Sequence, residues 1–128
     1  MPKNSKDVVI VSALRTVIGK YKGIWAKIEA HNLGRSVIEN ILSQSKVNQS
    51  SIDEVIMGQV LTGGTGQNPA RQAAKGAGIP DEKTAYVINQ VCGSGLRAII
   101  SGYQSILLND SKIVIAGGQE NMSFSNQD

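Results

Sequence analysis

Ala85-Tyr86-Val87-Ile88-Asn89-Gln90-Val91-Cys92-Gly93-Ser94-Gly95-Leu96-Arg97-Ala98 decides how this chain folds. An apolar, strand-like run ends within it, and from Leu96 apolar residues recur at helical spacing as far as Leu108. A strand therefore turns into a helix here, and the only cysteine of the chain stands on the turn. A thiol in that place lies at or near a helix N-terminus, where free backbone N–H groups and the helix dipole favour the thiolate. Gly93 and Gly95 leave room for a substrate to approach the backbone on either side of Ser94. These are the features of a covalent nucleophile, Cys92, which still needs a base and a stabilised oxyanion. The opposing reading is a buried, inert thiol acting as a small hydrophobe.

Outward from that turn, the same alternation repeats. Residues 8–14 form a near-continuous β-branched run, the pattern of a strand covered on both faces. Residues 15–27 are a loop. A helix then begins near Ala30, with Leu33, Val37, Ile38, Ile41 and Leu42 on one apolar stripe. Residues 55–61 give a second buried strand that runs into the glycine-rich loop 62–67. Asn68 reads as an N-cap with Pro69 at the first helical position. That short helix reaches about Lys75, and Gly76 or Gly78 stops it.

Residues 84–89 are the third strand. The third helix carries Leu96, Ile99, Ile100, Tyr103 and Leu107 on one side, with Ala98 and Gly102 set for close packing on another. Residues 112–116 are the fourth strand, closing into 117–123. The order β-α-β-α-β-α-β implies right-handed crossovers and an α/β fold with a mostly parallel, layered sheet. Ligands gather beyond the carboxyl ends of such strands. Loop 63–67, Cys92 and residues 117–122 are thus expected along one edge.

Composition narrows the function. With 128 residues, 41% hydrophobic and only 4% aromatic, the chain makes one domain with an aliphatic core. A net charge of +3 is spread along the sequence, the densest basic stretch being Lys20-Tyr21-Lys22, so no phosphate-tracking patch for nucleic acid exists. A mild positive potential suits a polyanionic small molecule equally well. A single cysteine permits no internal disulfide and fits a reducing, cytoplasmic setting. The apolar run 8–14 is too short for a membrane span and follows an acidic residue, Asp7. One histidine and one cysteine supply too few ligands for a metal. Gly63-Gly64-Thr65-Gly66 lacks the Gly-Lys-Ser/Thr continuation of a P-loop.

Four segments together carry a resemblance. They are Val9-Ile10-Val11-Ser12-Ala13-Leu14-Arg15-Thr16, Gly66-Gln67-Asn68-Pro69-Ala70-Arg71-Gln72-Ala73, Val91-Cys92-Gly93-Ser94-Gly95-Leu96 and Gly117-Gly118-Gln119-Glu120-Asn121-Met122-Ser123. In order and spacing the chain resembles the thiolases, in particular their acetyl-CoA acetyltransferases, over residues 8–123. The resemblance implies a Claisen-type condensation of two acetyl-CoA to acetoacetyl-CoA and CoA, and its reverse, with Cys92 as the acyl-accepting nucleophile. It implies CoA thioesters as substrates, no separate cofactor, and a homo-oligomer that pairs near the third strand. It also implies a histidine base, a second cysteine and CoA-binding loops that these residues do not contain. Residues 1–128 accordingly read as a truncated thiolase N-terminal domain, inactive alone, with a partner chain for the missing half or a non-catalytic remnant as the two accounts of its role.

Further details follow from the same likeness. Gln119 stands where methionine is usual, and residues 124–128 leave the pattern. Arg15, Asn68 and Arg71 are expected to hold loops, while Asn121, Met122 and Ser123 form cavity wall rather than reagents. His31, the only histidine, reads as a surface or capping residue. One rival remains: Gly93 to Ala98 also fits G-x-G-x-x-A, a dinucleotide fingerprint, with Glu120 as the ribose acid.

Overall fold

A computed structural model describes residues 7–124. Among them the elements run α1 (Ala30–Ser45), a 3-10 turn (Gln49–Ser51), β1 (Glu54–Gly58), α2 (Pro69–Gly76), β2 (Thr84–Ile88), α3 (Ser94–Leu107) and β3 (Val114–Gly118). The strands form one parallel sheet in the order β2-β1-β3. Gly58 aligns with Ile88 on one side and Gly118 on the other, so all three strands finish at the same edge.

Side-chain alternation splits β1 between two layers. Val55 and Met57 join Ile38 and Leu42 of α1, the alanines of α2, and Ile115 of β3 in one aliphatic core. The opposite face takes α3, whose Gly102 packs close to Val114 and Ala116. Only the small-residue side of α3 (Ser94, Ala98, Gly102) is buried. Its side bearing Leu96, Ile99, Tyr103 and Leu107 is open to solvent.

Local signals place α2 as expected. Asn68 Oδ1 accepts from the Arg71 amide at 3.2 Å and Pro69 opens the helix. Gly78 supplies the stop, lying at φ +88° while the Ile79 amide reaches back to the Ala74 carbonyl.

The first expected strand does not exist. Residues 8–14 have no ladder partner, and Val9, Ile10 and Val11 are exposed. A strand needs an edge to pair with. Neither free edge, of β2 or of β3, takes this segment; its Ser12 hydroxyl bonds the Gln44 side chain on α1 instead. The described order is therefore αβαβαβ rather than βαβαβαβ.

Two other boundaries move for one shared reason. β1 stops at Gly58 rather than 61 because the Val60 and Leu61 amides donate to the Glu120 carboxylate at 2.7 and 3.2 Å. β3 begins at Val114 rather than 112 because the Lys112 and Ile113 amides are taken by Asp53 Oδ2 at 2.7 and 3.2 Å. A carboxylate holding two amides removes them from the ladder.

Candidate active site

Cys92 lies between β2 and α3 and is exposed. The buried-thiol reading fails. The turn that presents it is tightly bonded. Val91, a β-branched residue, sits at φ +50°, a left-handed conformation rare for its type. Asn89 Oδ1 accepts from the Val91 amide at 2.9 Å, and Asn89 Nδ2 donates to Val60 O at 3.4 Å. The Ser94 hydroxyl donates to Val91 O at 2.6 Å and accepts from the Gln90 amide at 2.8 Å. Arg97 Nε donates to Gln90 Oε1 at 2.8 Å.

The amides of Gly93 and Ser94 already bond the carbonyls of Gln90 and Val91, so those two are not free donors for a ligand. The helix dipole still points its positive end at this turn.

The first turn of α3 rests directly on backbone. A Cβ on Gly58 would lie 2.5 Å from the Ser94 carbonyl carbon and 2.7 Å from Ser94 Cβ. A Cβ on Gly118 would lie 3.4 Å from Gly95 Cα. Glycine at 58 is thus the seat of the cysteine turn, a role that reading the 55–61 run as a buried strand overlooked. Its one sequence signal was a glycine inside a strand, which often marks close backbone approach.

The expected convergence holds. Loop 62–67 follows β1, Cys92 follows β2, and residues 119–123 follow β3 at the same sheet edge. Residues 119–123 brace their neighbours. Asn121 Nδ2 donates to Trp25 O at 2.6 Å and also to Ile28 O, while its Oδ1 accepts from the Ser123 and Phe124 amides. Ser123 Oγ accepts from the Lys22 amide at 2.6 Å. A cleft of about 280 Å³ opens between this loop and residues 16–25, walled by Trp25, Leu33, Asn121 and Met122 among others. A more open one of about 360 Å³ lies between Gln59, Asn68 and Asn89. Cys92 lines neither.

Gln119 is buried, with Nε2 donating to Gln59 Oε1 at 2.9 Å and Pro69 O at 3.3 Å. Its Oε1 finds no partner and presses on Gly34.

Other candidates take structural places. Arg71 donates to Lys83 O and Asp81 O, at 2.7 and 2.8 Å, holding the loop after α2, whereas Arg15 donates to the carbonyl of the adjacent Thr16 at 3.0 Å and ties no distant segment through it. His31 is half-buried on the first turn of α1 and its Nε2 meets the Glu29 carboxylate, not Cys92. The shifted carboxyls sit at the far end of the sheet. Hydrogen bonds donated by the Lys112 and Ile113 amides, with Lys83 nearby, hold Asp53 below the usual carboxylate range. Burial pushes Glu54 above it. Both lie where the strands begin, so their environments serve the sheet rather than the cysteine.

Residues 8–128 match the family described as "Thiolase, N-terminal domain". The chain belongs to the thiolase family. An acetyl-CoA acetyltransferase of Cupriavidus necator is 56% identical over 117 residues, covering 91% of this chain and 30% of that protein. A cytosolic acetyl-CoA acetyltransferase of Rattus norvegicus is 50% identical over 123 residues, covering 96% and 31%. The crystal structure of the Bacillus anthracis acetyl-CoA acetyltransferase superimposes with a TM-score of 0.89 at 37% identity, covering 92% of this chain and 30% of that one. The chain thus spans about 30% of the length of the curated relatives it matches.

The family match spans residues 8–128, and residues 125–128 lie outside the described residues. The dinucleotide alternative has no support: the family match is to the thiolases, and Glu120 is already engaged by the Val60 and Leu61 amides. No helix among the described residues is long and apolar enough to cross a membrane.

Proposed function

We propose that this chain is the acyl-accepting part of an acetyl-CoA acetyltransferase, with Cys92 as its nucleophile. One observation carries the reading: in a chain of the thiolase family, the only cysteine is exposed on the strand-to-helix turn at the carboxyl edge of the sheet. The Cys92 thiolate attacks the acetyl carbonyl of acetyl-CoA. The carbon–sulfur bond to CoA breaks, CoA leaves as its thiolate and takes up a proton, and the acetyl group stays on Cys92 as a thioester. The positive end of α3 opposes the negative charge that builds on the carbonyl oxygen. Attack by the deprotonated methyl carbon of a second acetyl-CoA then gives acetoacetyl-CoA and restores the thiolate.

CoA thioesters are the substrates of this scheme, and it needs no further cofactor. Residues 1–128 act as the N-terminal thiolase domain. Its homo-oligomeric contact is placed at β2, an open edge strand. A cytoplasmic site agrees with a thiol that is exposed and unpaired. The base and the second cysteine belong to other thiolase segments, since His31 is engaged with Glu29 and Cys92 is the only thiol.

Incubation with acetyl-CoA followed by intact-mass and peptide mass spectrometry tests the proposal. Acetylation confined to Cys92 and abolished in Cys92→Ser is the expected result. Label spread over lysines, or none at all, overturns it. Acetoacetyl-CoA thiolysis by these residues alone is expected to stay near background for want of the base.

A further inference from the structure

We infer that Ser94 is the positioning residue for Cys92: its buried hydroxyl locks Val91 in the left-handed conformation that turns the thiol out to solvent. The inference rests on Cys92 being the reactive group proposed above. Val91 is a β-branched residue at φ +50°, and such a residue stays there only when its surroundings over-determine it. Two side chains do so. Asn89 takes the Val91 amide from the strand side. From the helix side, Ser94 uses both functions of one hydroxyl, accepting from the Gln90 amide and donating to the Val91 carbonyl.

The peptide carrying that carbonyl is the one that joins Val91 to Cys92. Fixing it fixes the direction in which the cysteine leaves the turn. Ser94 can do this because it is only 4% exposed and its backbone is pressed onto Gly58, so it moves neither into solvent nor along the sheet. Water has little access to stand in for the hydroxyl. An ordinary helix cap would bond an amide of its own first turn. This hydroxyl instead reaches back across the cysteine to residues 90 and 91.

Alkylation of Cys92 by iodoacetamide at fixed pH, with circular dichroism as the control for folding, tests the role in the chain itself. Ser94→Ala is expected to lower the second-order rate by about tenfold, because a relaxed turn no longer holds the thiol out to solvent at the helix N-terminus. Adding Val91→Gly, which makes the left-handed turn easy without the hydroxyl, is expected to restore the rate to within about threefold. A parent-like rate for folded Ser94→Ala, or no recovery in the folded double variant, overturns the inference. Should Ser94→Ala not fold, the comparison becomes Val91→Gly against Val91→Gly/Ser94→Ala: equal rates support the role, and a tenfold gap between them overturns it. Failure of the acetyltransferase reading shows separately, as absence of acetyl-Cys92 from acetyl-CoA while the iodoacetamide pattern holds.

Discussion

Val8-Val9-Ile10-Val11 and Val55-Ile56-Met57 are built from the same kind of residue, yet they meet opposite fates. The second is the middle of the sheet, hydrogen-bonded on both sides, with Val55 and Ile56 fully buried. The first joins no ladder, and Ile10 is 78% exposed. Both have the composition of a strand. Only one has neighbours. β-Propensity describes fitness for a pleated, covered surface, and it supplies neither the partner strand nor the cover.

The comparison can be broken most directly by truncating one residue in each run. Ile56→Ala is expected to cost about 2–5 kcal/mol in urea unfolding, because it removes core contacts that β1 cannot regain. Ile10→Ala is expected to stay within about 0.5 kcal/mol, as at other exposed sites. A large loss from Ile10→Ala means that residues 8–14 are packed, and the contrast disappears.

Glycines sharpen it at a smaller scale. Gly58→Ala forces a methyl group into the first turn of α3, and a cost of roughly 1–3 kcal/mol is expected together with slower alkylation of Cys92. Gly117 meets nothing within 4 Å of an added Cβ, so Gly117→Ala serves as the control, with a change within about 0.5 kcal/mol and an unaltered thiol. Equal effects at the two positions would remove the seat assigned to Gly58.

Asn68→Ala tests a signal that needs no distant partner. Losing the cap of α2 is expected to cost about 1 kcal/mol in thermal or urea unfolding.

The smallest effect comes from the half-buried head of β1. Glu54 titrates above its unfolded value, so folding favours its protonated form and stability rises as pH falls through that range. Asp53 titrates below its unfolded value, so its contribution is present above the unfolded range and is lost as pH falls through the folded one. The unfolding free energy from urea titrations, measured from pH 7 downward, is expected to climb before it falls. Glu54→Gln removes the climb and leaves the fall. A monotonic decline in the parent chain contradicts this ordering.

Local chemistry made much of the molecule legible. Asn68-Pro69 started α2, the strand-to-helix turn placed Cys92 at the sheet edge, and the alternation of elements gave parallel strands. What escaped reading was made by residues far apart in the chain. Glu120 ends the β1 ladder from 60 residues away, and Asp53 delays β3 across a similar separation. The brace of Asn121 on Trp25 and Ile28 spans more than 90 residues.

The sequence by itself determined the order of the elements from α1 onward, the cap of α2 and the place of the thiol, because capping, turn chemistry and hydrophobic period act within a few residues. Tertiary structure alone decided which apolar run became a strand, where the ladders stopped, and that α3 buries its small residues while leaving its larger ones open. Hydrogen-bond partners and close backbone approach are properties of pairs of segments. No single segment encodes them.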